Sequence, residues 1–176
     1  MSIKPIDFTP QRVLVITAHA DDMEFYCSGL LSHWCQQGVE INLTVTTSGN
    51  KGSNSLEKDP SKLAAIRETE QLAGAKVIGL KEVVFLRYPD SELSFVDKNR
   101  LRGDFVRQIR RFQPQVVITH DPMVRLKRVH PDHRTVGEVV RDACFPISEI
   151  CNCYHEQITL ENLKCCQPEK LMFFDT

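Results

Sequence analysis

Short, continuously apolar runs alternate along the chain with longer stretches in which apolar residues recur every three or four positions. The runs at 13–18 and 115–119 have the length and continuous apolar character of parallel strands that are buried on both faces. The longer stretches have the period of amphipathic helices. The pattern predicts strands over 13–18, 40–47, 82–86, 115–119 and 170–175, and helices over 22–37, 60–78, 97–112 and 131–144.

Residues that commonly end helices lie just after the predicted helices. Gly38 and Gly79 follow the first two predicted helices, and Pro114 separates the third from the next strand. The alternation predicts an α/β fold, a Rossmann-like domain of three layers around a doubly wound, mostly parallel sheet. Because 176 residues is close to the common domain size, we expect residues 1–176 to form a single domain.

Three polar residues follow the first apolar run directly, and two histidines follow the 115–119 run at a distance. His19, Asp21 and Asp22 lie at the carboxyl end of the first predicted strand, where open α/β sheets bind ligands. Two histidines and one carboxylate, with a free fourth position, typically hold catalytic zinc. His19 and Asp22 supply two such ligands across one turn, and His133 supplies the third. Asp21 then lies beside the metal, where a general base is needed.

His130 lies three residues before His133, so in a first helical turn the two histidines share a face. His130 is therefore a candidate acid or oxyanion donor. Taken singly, the two motifs have plainer interpretations. Asp21 and Asp22 are suited to capping a helix, and Pro131 suits the first position of a surface helix. Their occurrence together, each after a buried strand, favours the metal site.

On these residues the chain resembles the zinc-dependent N-deacetylases called LmbE-like or PIG-L-like. This family includes the N-acetylglucosaminyl-phosphatidylinositol deacetylases and the bacterial mycothiol and bacillithiol pathway deacetylases. The resemblance extends through 46–49, Arg67-Glu68, 88–90 and 119–122, and covers most of residues 13 to 140. It implies zinc held by His19, Asp22 and His133, Asp21 as base, and His130 as the stabilising or acid histidine.

The implied reaction is metal-dependent hydrolysis of the N-acetyl group of an N-acetylglucosamine-type sugar conjugate, giving acetate and a free amino sugar. Two features depart from the family pattern. Ala20 stands where the family usually has proline, which loosens the turn but removes no ligand. Family members also continue for some tens of residues beyond a strand like 171–174, so we expect this chain to be either a short variant or a truncated one.

Further residues are candidates for substrate binding. In relatives the residues matching Arg67 and Asp90 hold sugar hydroxyls, and a planar guanidinium with a carboxylate suits vicinal hydroxyls. Ser48 begins the polar loop 48–55 on the same rim. Arg128, with Arg125 and Lys127, either attracts an anionic aglycone or belongs to a solvated loop.

His120 directly follows a buried strand, and we expect it to pack near the ion rather than to bind it.

The charge balance narrows the class of partner. With 22 basic and 23 acidic residues the formal net charge is −1, so no global field favours nucleic acid or an anionic membrane. The N-terminus has no signal-peptide core, and no apolar run approaches the roughly 20 residues that span a bilayer. We therefore expect a cytoplasmic protein that acts on a small molecule, with homo-oligomerisation left open.

Seven cysteines are expected to stay reduced, with Cys27, Cys35 and Cys144 in the core. A second group gathers near the C-terminus: Cys151, Cys153, His155, Cys165 and Cys166. Its spacings do not match paired Cys-x-x-Cys knuckles, so free thiols are favoured over a structural zinc.

Two other functional classes stay open. A metal-binding or interaction protein with weak or no catalysis would follow if the short C-terminus prevents closure over substrate. A metal phosphohydrolase is favoured by the basic residues near His130 but disfavoured by ligands for only one ion. A dinucleotide-binding oxidoreductase is disfavoured, because no Gly-x-Gly-x-x-Gly follows the first strand.

Overall fold

The computed structural model describes residues 7–55, 59–123 and 129–174. Five strands are present in this part of the chain: β1 Arg12–Thr17, β2 Glu40–Thr47, β3 Glu82–Tyr88, β4 Val116–His120 and β5 Lys170–Phe174. The α-helices are α1 Asp22–Tyr26, α2 Ser28–Gln36, α3 Pro60–Ile78, α4 Lys98–Phe112, α5 Pro131–Asp142 and α6 His155–Thr159. Two short turns, a 3-10 turn Leu93–Phe95 and a π turn Ala143–Ile147, complete the elements.

The five strands form one sheet in the order β3-β2-β1-β4-β5, and every adjacent pair is parallel. This confirms the predicted α/β fold with its parallel sheet. The chain passes from β1 to β2 on one side and returns to β4 on the other, so the strand order reverses at β1. In such sheets the crevice at the carboxyl ends, at this switch point, is where ligands bind.

The sheet has a hydrophobic core on each face, which accounts for the continuous apolar run of β1. Val13 and Val15 pack in one core with residues of α1 and α2, among them Trp34. Leu14 and Ile16 pack in the other core with α4 and α5. Alternate residues of one strand thus enter opposite cores, as the 2-residue period of a strand requires. The result is the expected arrangement of three layers.

Helix ends largely follow the sequence signals, with one exception. Gly38 lies two residues after α2 and Gly79 directly after α3, and both adopt left-handed backbone conformations, with φ of 85° and 100°. The predicted helix 22–37 is instead two helices, because Cys27 leaves the helical region with φ −140°. α5 ends at Asp142, before a π turn that contains Pro146, which lacks a backbone N–H donor. None of the helices in the described ranges has the length and apolar character needed to cross a bilayer.

One prediction about the cysteines is wrong. Cys151 and Cys165 form a disulfide, with Cα atoms 5.7 Å apart, so these two thiols are not reduced in the structure. The chain folds back through α6 and brings residues 14 positions apart together, which their spacing alone does not indicate. Cys27 and Cys144 are buried free thiols, as expected, whereas Cys35 is half-buried. Among the described residues, no group close enough to hold a metal contains a cysteine.

Candidate active site

A tight turn connects β1 to α1 at the centre of the sheet. The backbone N–H of His19 donates a hydrogen bond of 2.8 Å to Oδ2 of Asp22, which closes the turn. Between them Asp21 has a φ of 95°, in the left-handed region that residues with a side chain rarely adopt. Such strain is retained where the surroundings hold it, often at functional sites. The turn brings the His19 and Asp22 side chains together.

The three predicted ligands converge. Nδ1 of His19 lies 3.1 Å from Nε2 of His133, and Nε2 of His133 lies 3.2 Å from Oδ1 of Asp22. Nδ1 of His19 is 3.8 Å from Oδ2 of Asp22. Zinc–ligand bonds of about 2.0–2.1 Å in a tetrahedron place the ligand atoms roughly 3.3 Å apart. The donor types and their separations therefore fit one such ion.

In the part of the chain that the structure describes, ligating atoms close enough for a metal form three overlapping groups: His19/His130/His133, Asp22/His120/His133 and His19/Asp90/Asp132. Each group contains at least one predicted ligand, and the predicted triad combines members of the first two. The carboxyl ends of β1 and β4 and the start of α5 thus meet around a single polar cluster.

Two carboxylates contact the far side of the His19 ring. Nε2 of His19 lies 3.2 Å from Oδ1 of Asp90 and 3.3 Å from Oδ2 of Asp132. Asp132 is fully buried and accepts hydrogen bonds from the backbone amides of Ser91 and Leu93. A carboxylate on the outer nitrogen of a ligating histidine fixes the ring and leaves the inner nitrogen for the metal.

Burial lowers the pKa of His19, but the carboxylates of Asp132, Asp90 and Asp22 outweigh burial and raise it to about 9. Asp132 is a site residue that the sequence motifs did not predict, although its position between His130 and His133 was a usable signal.

Asp90, a predicted substrate residue, is buried among polar partners. Its Oδ2 accepts a hydrogen bond of 2.9 Å from the backbone N–H of Lys51, and its Oδ1 accepts one from the Ser91 hydroxyl. Burial alone would raise the pKa of Asp90, but His19 and these donors hold it below its usual range. Asp90 therefore belongs to the cluster around His19. Ser48 is half-buried on the same rim, where its N–H bonds to the carbonyl of Tyr88.

Asp21 lies outside the triad, as a base should. Its side chain is 50% exposed, and its Oδ2 accepts a hydrogen bond of 2.8 Å from Arg67. Burial, together with the nearby charge of Asp22, raises the pKa of Asp21 despite the opposing effects of Arg67 and His19. Arg67, a predicted substrate residue, also packs beneath Gly49 and Gly52, where an added Cβ would lie 2.8 Å from the guanidinium. Arg67 thus links the base to the 48–55 loop.

His130 stands at the entrance to α5 beside the triad. Its Nδ1 accepts a hydrogen bond of 3.2 Å from the backbone N–H of Asp132, and its ring contacts His19 edge to face. Burial lowers the pKa of His130, and the charge of His19 lowers it further. A neutral ring whose Nδ1 accepts a hydrogen bond carries its proton on Nε2. That arrangement suits a hydrogen-bond donor to an oxyanion.

His120, at the end of β4, is fully buried against the ligands. Its Nε2 lies 3.1 Å from Oδ2 of Asp22, and its ring stacks on His133 at 4.0 Å between centroids. Burial lowers its pKa to about 4, so the ring is neutral near pH 7. His120 also belongs to one of the groups that could hold a metal, with Asp22 and His133, so its expected packing role stays a prediction. Arg125, Lys127 and Arg128 lie outside the described residues.

Comparison with known proteins identifies a family for most of the chain. The model of the family PIG-L, described as GlcNAc-PI de-N-acetylase, matches residues 14–144. A diacetylchitobiose deacetylase from Thermococcus kodakarensis is 29% identical over 127 residues, which cover 72% of this chain and 46% of that protein. A protein from Bacillus anthracis, named probable N-acetyl-alpha-D-glucosaminyl L-malate deacetylase 2, is 29% identical over 142 residues. These residues cover 79% of this chain and 62% of that protein.

A solved structure is similar over nearly the whole chain. It is the N,N'-diacetylchitobiose deacetylase from Pyrococcus horikoshii in complex with an inhibitor, with a TM-score of 0.87 and 26% sequence identity. The match covers 94% of this chain and 60% of the other. This chain therefore spans between about half and two thirds of the lengths of the proteins it matches.

Proposed function

The chain belongs to the GlcNAc-PI de-N-acetylase (PIG-L) family, and from that membership we propose that it hydrolyses the N-acetyl group of an N-acetylglucosamine-type sugar conjugate. The observation that carries the proposal is the convergence of His19, Asp22 and His133, with Asp21 in the turn between the first two, where both influence the pKa of its carboxyl. The names of the relatives from Thermococcus and Bacillus, both deacetylases, support the reaction class.

His19, Asp22 and His133 would hold one divalent ion, and we propose zinc, because two imidazoles and one carboxylate are a usual catalytic set. When bound, such an ion lowers the pKa of a coordinated water to about 7 and polarises the carbonyl under attack. Other groups of the chain orient the metal-binding side chains. Asp90 and Asp132 fix the His19 ring from behind, and the backbone N–H of His19 fixes Asp22.

Asp21 is the base in this proposal. Its carboxylate takes a proton from the attacking water as the oxygen adds to the acetamide carbon. A carboxyl with a raised pKa holds that proton more readily than an ordinary aspartate, because burial disfavours its charged form. Arg67 fixes the carboxylate through Oδ2, so the proton-accepting group is oriented before substrate arrives.

His130 stabilises the oxyanion that forms on the acetamide oxygen. The neutral ring donates from Nε2, since Nδ1 is occupied by the Asp132 amide. When the carbon–nitrogen bond breaks, the leaving amine needs a proton, and protonated Asp21 returns the one that it took from water. Acetate and a free amino sugar are the products, and Asp21 is again a carboxylate.

Arg67, Ser48 and Asp90 are the proposed sugar contacts, with Arg128 as a contact to an anionic aglycone. Of the three described residues, Arg67 and Ser48 reach the rim, whereas both oxygens of Asp90 already have partners. The cytoplasmic location and the single domain stay predictions from the sequence, as does any homo-oligomer.

Acetate release tests the proposal. Purified protein reconstituted with zinc is incubated with N,N'-diacetylchitobiose, N-acetylglucosaminyl malate and N-acetylglucosamine, and acetate is measured alongside metal content. We expect acetate from at least one conjugate, and release slower by about 10²–10⁴-fold from a matched Asp21→Asn sample. Protein that binds zinc stoichiometrically yet releases no acetate would instead support a metal-binding protein without catalysis. Phosphate release from a sugar phosphate would support a phosphohydrolase.

A further inference from the structure

We propose that Gln71, together with Glu24, is a positioning pair that holds the base Asp21 in its left-handed backbone conformation. Gln71 lies on α3, 50 residues from Asp21 in sequence, and Glu24 lies on α1. Neither residue belongs to the ligand triad. The assignment of Asp21 as base rests on the proposed function, whereas the contact between Gln71 and Asp21 does not.

Gln71 has a buried side chain whose amide oxygen and amide nitrogen both form hydrogen bonds. It is 3% exposed, and a buried amide is costly unless its polar atoms are paired. Its Oε1 accepts a hydrogen bond of 3.1 Å from the backbone N–H of Asp21, and its Nε2 donates one of 2.7 Å to Oε1 of Glu24. Both partners require this orientation of the amide, because the N–H needs an acceptor and the carboxylate needs a donor.

The Asp21 backbone needs an external restraint. A φ of 95° is strained for a residue with a side chain, because the Cβ atom then crowds the backbone. The preceding residue, Ala20, has no ring that fixes its own φ. The hydrogen bond from the Asp21 amide to Gln71 is thus a restraint imposed from another helix.

The turn that contains Asp21 adjoins empty space, so tight packing does not by itself hold it in place. A cavity of about 180 Å³ adjoins the pair and is lined by Ala20, Asp21, Glu24, Arg67, Glu70, Gln71 and Gly74. Arg67 also holds this turn, through the carbonyl of Ala20 and Oδ2 of Asp21, but the Asp21 amide itself bonds to Gln71. Without that bond the amide has room to move into the cavity. Glu24 is itself confined, because an added Cβ on Gly74 would lie 2.6 Å from its Oε1. The second member of the pair is therefore held in place by α3.

The ligands have separate supports. The backbone N–H of His19 holds Asp22, and two carboxylates hold the ring of His19. Loss of the Gln71 bond should consequently displace the base and leave the triad intact. That separation distinguishes a positioning role from a general role in folding, which would lower metal retention and stability together.

The test uses the zinc-loaded protein and the most active substrate of the acetate screen. Gln71→Met keeps the length of the side chain but removes both bonds, and it should lower kcat about 10–100-fold, since a displacement of about 1 Å can cost that much. The KM should stay within about twofold and the zinc content should be unchanged. Gln108→Met makes the same chemical change on α4, on the other face of the sheet, and should leave kcat unchanged.

Rescue by exchange sharpens the test. In Gln71→Glu two carboxylates oppose each other, so kcat should fall at least as far as in Gln71→Met. The double variant Gln71→Glu/Glu24→Gln restores an acceptor for Asp21 and a donor between the pair, and it should recover kcat to within about threefold of wild type. Unchanged kcat in Gln71→Met, or loss of zinc from it, would overturn the assignment, as would a double variant no better than Gln71→Glu.

Hydrogen exchange of the Asp21 amide provides a readout that does not depend on catalysis. The amide should be protected in the wild type and in the double variant, and should exchange about 10-fold faster or more in Gln71→Met. Equal exchange in wild type and Gln71→Met would show that Gln71 does not hold the turn, whatever the activity. A wild type that releases no acetate but shows this exchange pattern would overturn the deacetylase proposal while the positioning contact stands.

Discussion

Two buried polar clusters in this molecule differ in how completely their polar atoms are hydrogen-bonded. One is the site cluster at the carboxyl ends of β1 and β4, where histidines and carboxylates contact each other. The other surrounds Arg110 on α4, which is 1% exposed. Both remove charge from water, which is costly unless the charged groups find partners.

The Arg110 cluster is fully paired by neutral groups. The guanidinium donates to the carbonyls of Ile147, Ser148, Ile150 and Tyr154 and to Oε1 of Gln157, at 2.9–3.4 Å. All five acceptors lie between residues 147 and 157, so one side chain organises the irregular segment after α5. Burial lowers the pKa of Arg110, but a guanidinium stays charged at any pH the fold survives.

In and around the site cluster, some buried polar atoms have no hydrogen-bond partner among the described residues. They include Nδ1 of His120, Oε2 of Glu24 and Nε of Arg67. A buried polar group that lacks a partner is uncommon in a native fold and calls for an explanation. The contrast indicates that the Arg110 cluster is scaffold, whereas the site cluster is arranged for something that binds there. Perturbing each cluster should therefore affect a different property.

The largest effect should come from Asp21→Asn. The amide preserves the shape of the side chain but cannot take the proton of the attacking water, so kcat should fall by about 10²–10⁴-fold. Zinc content should remain that of the wild type, because Asp21 lies outside the triad. Steady-state kinetics on metal-loaded protein measures this, and near-normal turnover would remove Asp21 as the base.

His130→Ala should have a somewhat smaller effect on the same property. Loss of one oxyanion donor typically lowers kcat by about 10²–10³-fold. The KM should change little, since the oxyanion exists only in the transition state. Unaltered kcat combined with poor zinc retention would make His130 a ligand, and the assignments of the two histidines in 130–133 would need to be exchanged.

Arg110→Met should lower the free energy of unfolding and leave kcat unchanged. It leaves several buried carbonyls without their donor, and we expect a loss of about 2–4 kcal/mol in the free energy of unfolding by urea. Below the unfolding transition, kcat should equal that of wild type. Arg111→Met is the matched control: Arg111 is exposed and pairs with Glu82 at the surface, so its loss should cost at most about 1 kcal/mol. Equal losses in the two variants would contradict the scaffold role.

The smallest predicted effect is the pH dependence of the metal-free protein. His19 has a pKa of about 9 in the fold against 6.5 for an ordinary histidine, so its protonated form stabilises the folded state. That contribution is fully present below about pH 6.5 and is lost as the pH rises through 9. Unfolding by urea after chelation should show a decrease of about 1–3 kcal/mol over this interval. The decrease should be absent in His19→Gln.

Much of the fold and the triad could be predicted from sequence, because both depend on local patterns. The apolar run 13–18 marks a strand buried on both faces, and His19 and Asp22 follow it within one turn. His133 was found by its motif after a second such strand.

The supporting contacts could not be predicted. Gln71 meets Asp21 across 50 positions, and Arg110 meets Ser148 across 38, so only the packing of α3 and α4 creates these pairs. The disulfide between Cys151 and Cys165 was missed for the same reason. Local spacing reveals residues that share a turn, whereas partners on separate elements depend on the tertiary structure.

The central claim is that His19, Asp22 and His133 bind one metal ion while Asp21 stands beside it. Elemental analysis of wild type, His133→Ala and Asp21→Asn after dialysis tests this most directly. The account predicts one zinc per chain in wild type and in Asp21→Asn, and only a small fraction of that in His133→Ala, because two remaining protein ligands leave the coordination shell incomplete. Stoichiometric zinc in His133→Ala, or loss of zinc from Asp21→Asn, would contradict it.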